Sequence, residues 1–164
     1  MLEPADKIEL RQAIENRRAE LKLVLNREGL RGAIMYLNSL TKCRFTSLYR
    51  FDGPRLCNII FYDRENPHIK HSEDLPVLAS YCVFVRDSRA AFQISHAELD
   101  ERVKGHPKQN SVQCYCGVPL IDEDGKMFGT VCHFDVSPGV VNHSDVDLLE
   151  YFGDLIRPKF STYK

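Results

Sequence analysis

Val112–Ile121 (VQCYCGVPLI) and Lys126–Asp135 (KMFGTVCHFD) flank Asp122-Glu123-Asp124-Gly125, and this stretch decides the fold. Both flanks are rich in β-branched and aromatic residues, and the four between them have the composition of a short turn with glycine at its end. Two strands joined so tightly run antiparallel, because a parallel pair needs a much longer crossover. Gly117 and Gly129 fall inside the strands, where glycine weakens a strand unless backbone or ligand approaches closely. Pro119 removes a ladder donor and points to an edge, a bulge or a strand end. The aspartates of the turn belong to the turn, since the loop is too short for a calcium site.

Upstream, Arg44–Phe51 (RFTSLYRF) puts Phe45, Tyr49 and Phe51 on one face and Leu48 on the other. Leu56–Tyr62 (LCNIIFY) follows across Asp52-Gly53-Pro54, a strong turn signal, so a second hairpin is expected. Helices are expected at the two ends. Asp6 with Glu9 forms a capping box ahead of Leu10, Ile14, Leu21, Val24 and Leu25 at helical spacing, and Gly29 is a natural stop. Ser144 with Asp147 opens a last helix carrying Leu148, Leu149, Phe152, Leu155 and Ile156, which Pro158 ends. Between the hairpins, Leu75–Ala91 fits a helix through Leu78, Cys82 and Val85, after a polar loop over Asn66–Pro76. His96–Lys104 fits a short polar helix stopped by Gly105 and Pro107.

The expected architecture is therefore α/β of the α+β kind. A central antiparallel sheet carries the terminal helices on one face, and short helices and loops from Asn66–Asn110 roof the other. Such a roof leaves a cavity more readily than long packed helices do. The domain organisation expected is one domain over 1–164: an N-terminal helix over 1–29, a core sheet and pocket over 43–135, and a C-terminal helix over 144–158.

Composition sets outer bounds. The chain has 164 residues, 43% of them hydrophobic, and a formal net charge of -1. A core of normal size needs no metal or disulfide staple at this length. Arg17, Arg18, Lys22 and Arg27 alternate with Glu15, Glu20 and Glu28, the pattern of a solvated helix face rather than a nucleic-acid surface. No apolar run approaches a membrane span and the N-terminus lacks the apolar core of an export signal, so a cytoplasmic protein without a membrane or nucleic-acid partner is expected. Cys43, Cys57, Cys82, Cys114, Cys116 and Cys132 then sit as thiols in a reducing compartment, without any C-x-x-C pair.

The sharpest local constellation is Cys114, Cys116 and His133. Pairing Ile121 with Lys126 across the turn puts Cys114 opposite His133, with Cys116 on the same sheet face. Two thiols and an imidazole suit zinc or redox exchange, with His106 or Cys82 as the obvious fourth ligand. The plainer account is that both cysteines pack in the core while His133 hydrogen-bonds nearby. Cys82 is likewise either a cavity-facing thiol or a packing residue. His68 and His71 read as solvated loop histidines beside Lys70, and His143 merely precedes the last helix. No phosphate cradle, Ser-His-Asp order or paired-carboxylate site is present.

Several of these elements together resemble the GAF family. They are Ser80-Tyr81-Cys82, Ile94–Pro107 (ISHAELDERVKGHP), Tyr115-Cys116-Gly117-Val118-Pro119-Leu120, and Asp124–Cys132 (DGKMFGTVC) with Asp135. The resemblance covers Leu75–Asp135 well and the flanking elements by order and length. It implies a binding module that responds to a small molecule or redox signal, dimerises through its terminal helices, and passes its state to a separate output protein. It leaves the ligand and any cofactor unassigned. Three departures limit it. The N-K-x-x-x-F-x-x-x-D-E pattern of the cyclic-nucleotide subset is absent. Cys132-His133 lies in an expected strand, not in a helix as in the bilin-binding subset. The G-V-C-G element of the branch that reduces free methionine sulfoxide is missing.

The candidate ligand-binding residues are Tyr81, Cys82, Asp100, Tyr115, Cys116 and His133. Asp100 and Arg102, two apart, do not face each other on a helix and are expected to anchor the loop to neighbouring backbone. Two alternatives to a sensor stand beside it. One is a thiol-based redox enzyme using Cys82, Cys114 or Cys116. The other is a homodimerisation module whose cavity is filled by Tyr81, Phe84, Phe92, Tyr115 and Phe128.

Overall fold

The computed structural model describes residues 3–158. It contains α1 (Pro4–Ser39), β1 (Phe45–Asp52), β2 (Arg55–Asp63), β3 (Leu75–Pro76), α2 (Cys82–Ser88), β4 (Phe92–Ile94), β5 (Cys114–Ile121), β6 (Met127–Asp135) and α3 (His143–Ile156). The strands form one sheet in the order β3-β2-β1-β6-β5-β4, antiparallel at every pairing. Helices α1 and α3 pack together against one face, and α2 with the short turns of the middle segment covers the other. This is the expected α+β arrangement.

Both hairpins form where the turn residues call for them. Gly53 and Gly125 take the left-handed backbone, φ 55° and 80°. The Asp122 carboxylate accepts from the N–H of Asp124 and of Lys126, each at 2.9 Å, so the acid at the loop start holds the turn. The register differs from expectation: Cys116 stands opposite His133, and Cys114 opposite Asp135. Ile121 pairs with Met127 rather than Lys126, which shifts the register by one, and an irregularity between Leu120 and Ile121 shifts it by one more. The displacement is of two residues, so each side chain keeps its expected face.

The N-terminal helix begins earlier and ends later than its sequence signals. Pro4 is the first helical residue and Glu3 the cap position, so Asp6 lies inside the helix rather than capping it. Proline suits that place because its missing N–H is one the helix leaves unpaired anyway. Gly29 does adopt a positive φ of 77°, yet helix resumes and runs to Ser39. The reason is burial: Ala33, Ile34 and Leu37 beyond the break are 0–1% exposed against the sheet. Each large apolar side chain so buried contributes about 2 kcal/mol, against about 1 kcal/mol lost at an interior glycine.

The middle segment also departs from expectation. Leu75–Ala91 is not one helix but a two-residue strand, a 3-10 turn over Val77–Ala79, and α2. Leu78 is 69% exposed, so the stripe with Cys82 and Val85 does not form. Pro76 biases its predecessor to extended backbone, and Ser80 is extended as well, its hydroxyl accepting from the Cys82 N–H at 3.1 Å to start α2 afresh. His96–Lys104 is two 3-10 turns, Ala97–Leu99 and Glu101–Val103, parted at extended Asp100. In α3 the cap is Asn142, and the Asp145 carboxylate returns to its N–H at 3.1 Å in place of the expected Ser144 and Asp147. Asp147 instead binds Arg18 of α1, whose Nε donates to it at 3.0 Å, joining the two helices.

Candidate functional site

A cavity of about 510 Å³ opens between the sheet and the roof. Its sheet side is aromatic. Phe45, Phe61 and Phe134 come from three adjacent strands and stack with ring centroids 5.7 and 4.9 Å apart. Strand alternation puts them on one face, and the β1–β6 register sets Phe45 directly against Phe134. Tyr49, Tyr115 and Cys132 complete the floor, while Ser72, Glu73, Asp74, Lys108 and Ser111 stand at the mouth. Asp74 also accepts the Asn58 N–H at 2.8 Å. A flat apolar wall with a polar rim suits a planar ring system bearing hydrogen-bonding groups.

The other half of the same face is plugged. Tyr81 meets Tyr115 edge-on at 5.6 Å, and Phe84 stacks on Phe92 at 4.8 Å. His106 lies against both Tyr81 and Phe84. Its Nδ1 accepts from the Lys108 N–H, so its other nitrogen, Nε2, donates to the Ser80 carbonyl, and burial lowers its pKa. The Tyr81 hydroxyl donates to the Val112 carbonyl at 2.9 Å, and burial pushes that phenol up to about 12. Four of the five aromatics expected to fill the cavity are in this plug, while Phe128 packs on the helix-covered core.

Of the six candidate residues, Tyr81 and Tyr115 line the cavity. Cys82 lies just beneath it, fully buried, accepting from the Tyr115 hydroxyl at 3.3 Å. Burial opposes its ionisation, but hydrogen bonds from Cys132, Ser80, Tyr115 and Thr130 outweigh that and lower its pKa. Cys132 is held well above the ordinary thiol range by its hydrogen bond to Cys82 and by burial. Asp100 stands outside the cavity. It does meet Arg102, because the backbone there is extended and not helical, and Arg102 also donates to the Gln93 carbonyl at 2.7 Å.

Cys116 and His133, also expected as ligand-binding residues, lie on the face away from the cavity, under the helices. His133 Nδ1 is 2.7 Å from Thr46 Oγ1, which in turn accepts from Asn38 Nδ2 at 2.9 Å. Burial brings its pKa down to about 3, so the ring is neutral. Burial likewise raises the Cys116 thiol. Cys114 turns from the expected cluster to Cys43, the two sulfurs being 3.8 Å apart. Among the described residues no group of three His, Cys, Asp or Glu side chains is placed to hold a metal.

Gly117 and Gly129 are explained by the chain's own close approaches. A Cβ at Gly117 would meet the Tyr115 hydroxyl at 2.2 Å, so the ring lies along its own strand over the glycine. A Cβ at Gly129 would stand 2.1 Å from the Tyr49 carbonyl oxygen. At Pro119 the outer neighbour is gone, since β4 pairs only with Tyr115–Gly117. The residues that sequence reasoning missed are Phe45, Phe61 and Phe134 as one wall. Their shared face was readable from alternation, but their contact depends on registers between three strands.

Residues 28–157 match the GAF domain family. The chain belongs to that family. GAF domains are typically sensory or regulatory. A curated relative, a cyclic di-GMP phosphodiesterase of Pseudomonas aeruginosa, is 28% identical over 89 residues, which is 52% of this chain and 15% of that protein. The chain thus spans about a seventh of that relative's length. Among solved structures, free methionine-R-sulfoxide reductase from Neisseria meningitidis, in complex with its substrate, superposes with a TM-score of 0.71 at 12% identity. The match covers 92% of this chain and 89% of that one. The GAF domain of a Coxiella burnetii phosphoenolpyruvate-protein phosphotransferase gives 0.70 at 11% identity, covering 91% and 93%. At such identities the likeness is one of fold. No helix among the described residues is long and apolar enough to cross a membrane.

Proposed function

We propose that this GAF domain is a sensor that takes a planar, ring-containing small molecule into the cavity and passes occupancy to its terminal helices. The observation that carries the reading is the three-ring wall of Phe45, Phe61 and Phe134, left open in a face whose other half is packed with aromatic side chains. A cavity of about 510 Å³ accommodates a molecule of metabolite or nucleoside size. Occupancy is read at β1 and β6, which carry the wall on one face and pack on α1 and α3 with the other. The proposal extends to a homodimer formed through those helices in the cytoplasm, with a separate output partner. Ile8 and Leu10 of α1, 69% and 51% exposed, supply apolar surface for it.

Native mass spectrometry of the protein purified from its expression strain, beside a denatured control, tests this. A bound mass that disappears on denaturation is the expected result, and the same spectra give the oligomeric state. Ser72→Trp, which places an indole where the half-buried Ser72 hydroxyl meets that of Tyr49 at 3.4 Å, abolishes the bound mass, and a retained cooperative melt shows that the variant folds. A bare protein in both spectra sinks the tight-ligand sensor and favours a dimerisation module. A second reading rests on Cys132 in the cavity wall with Cys82 beneath it: a thiol enzyme resembling free methionine sulfoxide reductase. Turnover of free methionine sulfoxide with a dithiol reductant, lost in Cys82→Ser, would establish that reading instead.

A further inference from the structure

Cys43 and Cys114 meet outside the cavity. Cys43 lies in the connector that leaves α1, Cys114 opens β5, and their sulfurs are 3.8 Å apart. They are 4% and 2% exposed, and neither takes part in the site described above. The two sulfurs are within hydrogen-bond reach, so the proton of either thiol can stabilise the thiolate of the other. Cys114 is the one of the two that also contacts the segment after β6, so it is the thiol an oxidant reaches when that segment opens, and the thiolate is the nucleophile.

Above the pair runs the segment from 136 to 142. Its Gly139 carbonyl is 3.5 Å from the Cys114 sulfur, and its ties are few: Gly139 N–H to the Ser95 carbonyl at 3.0 Å, Ser137 N–H to Asp135 at 3.1 Å, and the cap at Asn142. Val136 and Val140 within it are 52% and 71% exposed, and Val141, which packs on the helix-covered core, is its one apolar anchor among the described residues. A cover with so few contacts opens locally at a small fraction of the cost of global unfolding, which presents Cys114 to a small oxidant.

We propose that Cys43 and Cys114 are a redox modification site that closes to a reversible disulfide in the presence of a hydroperoxide. The Cys114 thiolate attacks one peroxide oxygen, the O–O bond breaks, and the departing hydroxide takes a proton to become water. Cys114 is left as a sulfenic acid. The Cys43 sulfur then attacks that sulfur, the S–O bond breaks, and a second water leaves with the Cys43 proton. Two thiols and one hydrogen peroxide give one disulfide and two waters; the sulfurs lose the two electrons that the peroxide gains. A dithiol reductant reverses the bond by exchange.

The bond has a structural consequence. It pins the connector behind α1 to the first residue of β5, which pairs with Asp135, the residue from which the chain leaves for α3. It also closes a loop between residues 71 apart in sequence. On the chain-entropy account such a loop raises the melting temperature by about 10 °C.

Treatment of the whole chain with hydrogen peroxide, alkylation in denaturant and non-reducing peptide mapping tests the proposal. The Cys43 and Cys114 peptides are expected joined, two of the six thiols lost, and both changes reversed by dithiothreitol together with the rise in melting temperature. Cys57→Ser retains the crosslink, and Cys43→Ser leaves Cys114 as a sulfenic acid that dimedone captures. A crosslink mapping to Cys82 and Cys132 overturns the proposal, as does Cys114 oxidised to sulfinic acid without a crosslink in the native chain. Six free thiols persisting at peroxide levels that consume free cysteine overturn it equally. The mapping is made on the native sequence, so its outcome does not depend on how the serine variants fold.

Discussion

His133 is a base kept neutral by its place under the helices, with a folded pKa near 3. It gains its proton only when the chain unfolds. Stability therefore falls as pH drops below the ordinary imidazole value of about 6.5 and goes on falling toward 3, by about 1.4 kcal/mol per unit. His133→Asn, which keeps an acceptor for Thr46, removes this slope. Urea melts of the two proteins at pH 7 and pH 5 are expected to differ in their pH dependence by about 2 kcal/mol, and parallel curves would contradict the assignment. At this scale the sequence pointed to His133 and the cysteines as a group and missed their partners. Cys114 faces Asp135 instead of His133, because a longer connection and an irregularity beside it each moved the register by one. Which neighbour a side chain meets is set by such local details of pairing, even where its face is legible from alternation.

Helix α1 shows what periodicity conveys and what it does not. Leu21 and Leu23 are the same residue two positions apart, 0% and 53% exposed. Leu21→Ala is expected to cost about 3 kcal/mol and Leu23→Ala less than about 0.5 kcal/mol by chemical denaturation. Comparable losses at both positions would mean that α1 buries its outer face as well, as it would in a dimer at the protein concentration used. The existence of both terminal helices and both hairpins was legible, since amphipathic spacing and turn residues are local signals. The boundaries were less so. Gly29 has the backbone of a helix end, but the buried surface of Ala33, Ile34 and Leu37 carries the helix past it. Leu75–Ala91 has helical spacing, but Pro76 and the Ser80 cap break it into shorter pieces.

For the whole molecule, cavity occupancy and stability are linked. A ligand that binds the folded domain alone adds about 2.7 kcal/mol at a hundred times its dissociation constant, or roughly 5–10 °C in melting temperature for a chain of this size. A thermal-shift screen of planar heterocycles is expected to find such a rise with the native protein and none with Ser72→Trp. A rise that survives in the variant would move the binding site away from the three-ring wall. The sequence by itself determined the two terminal helices, the two hairpins, the antiparallel sheet and the family, because these follow from local propensity, period and turn chemistry. Only the tertiary structure decided that the open half of the roofed face is floored by Phe45, Phe61 and Phe134. It alone placed Cys116 and His133 beneath the helices and brought Cys43 to Cys114. Each of these is a contact between segments far apart in the chain, fixed by strand order and packing rather than by any stretch read alone.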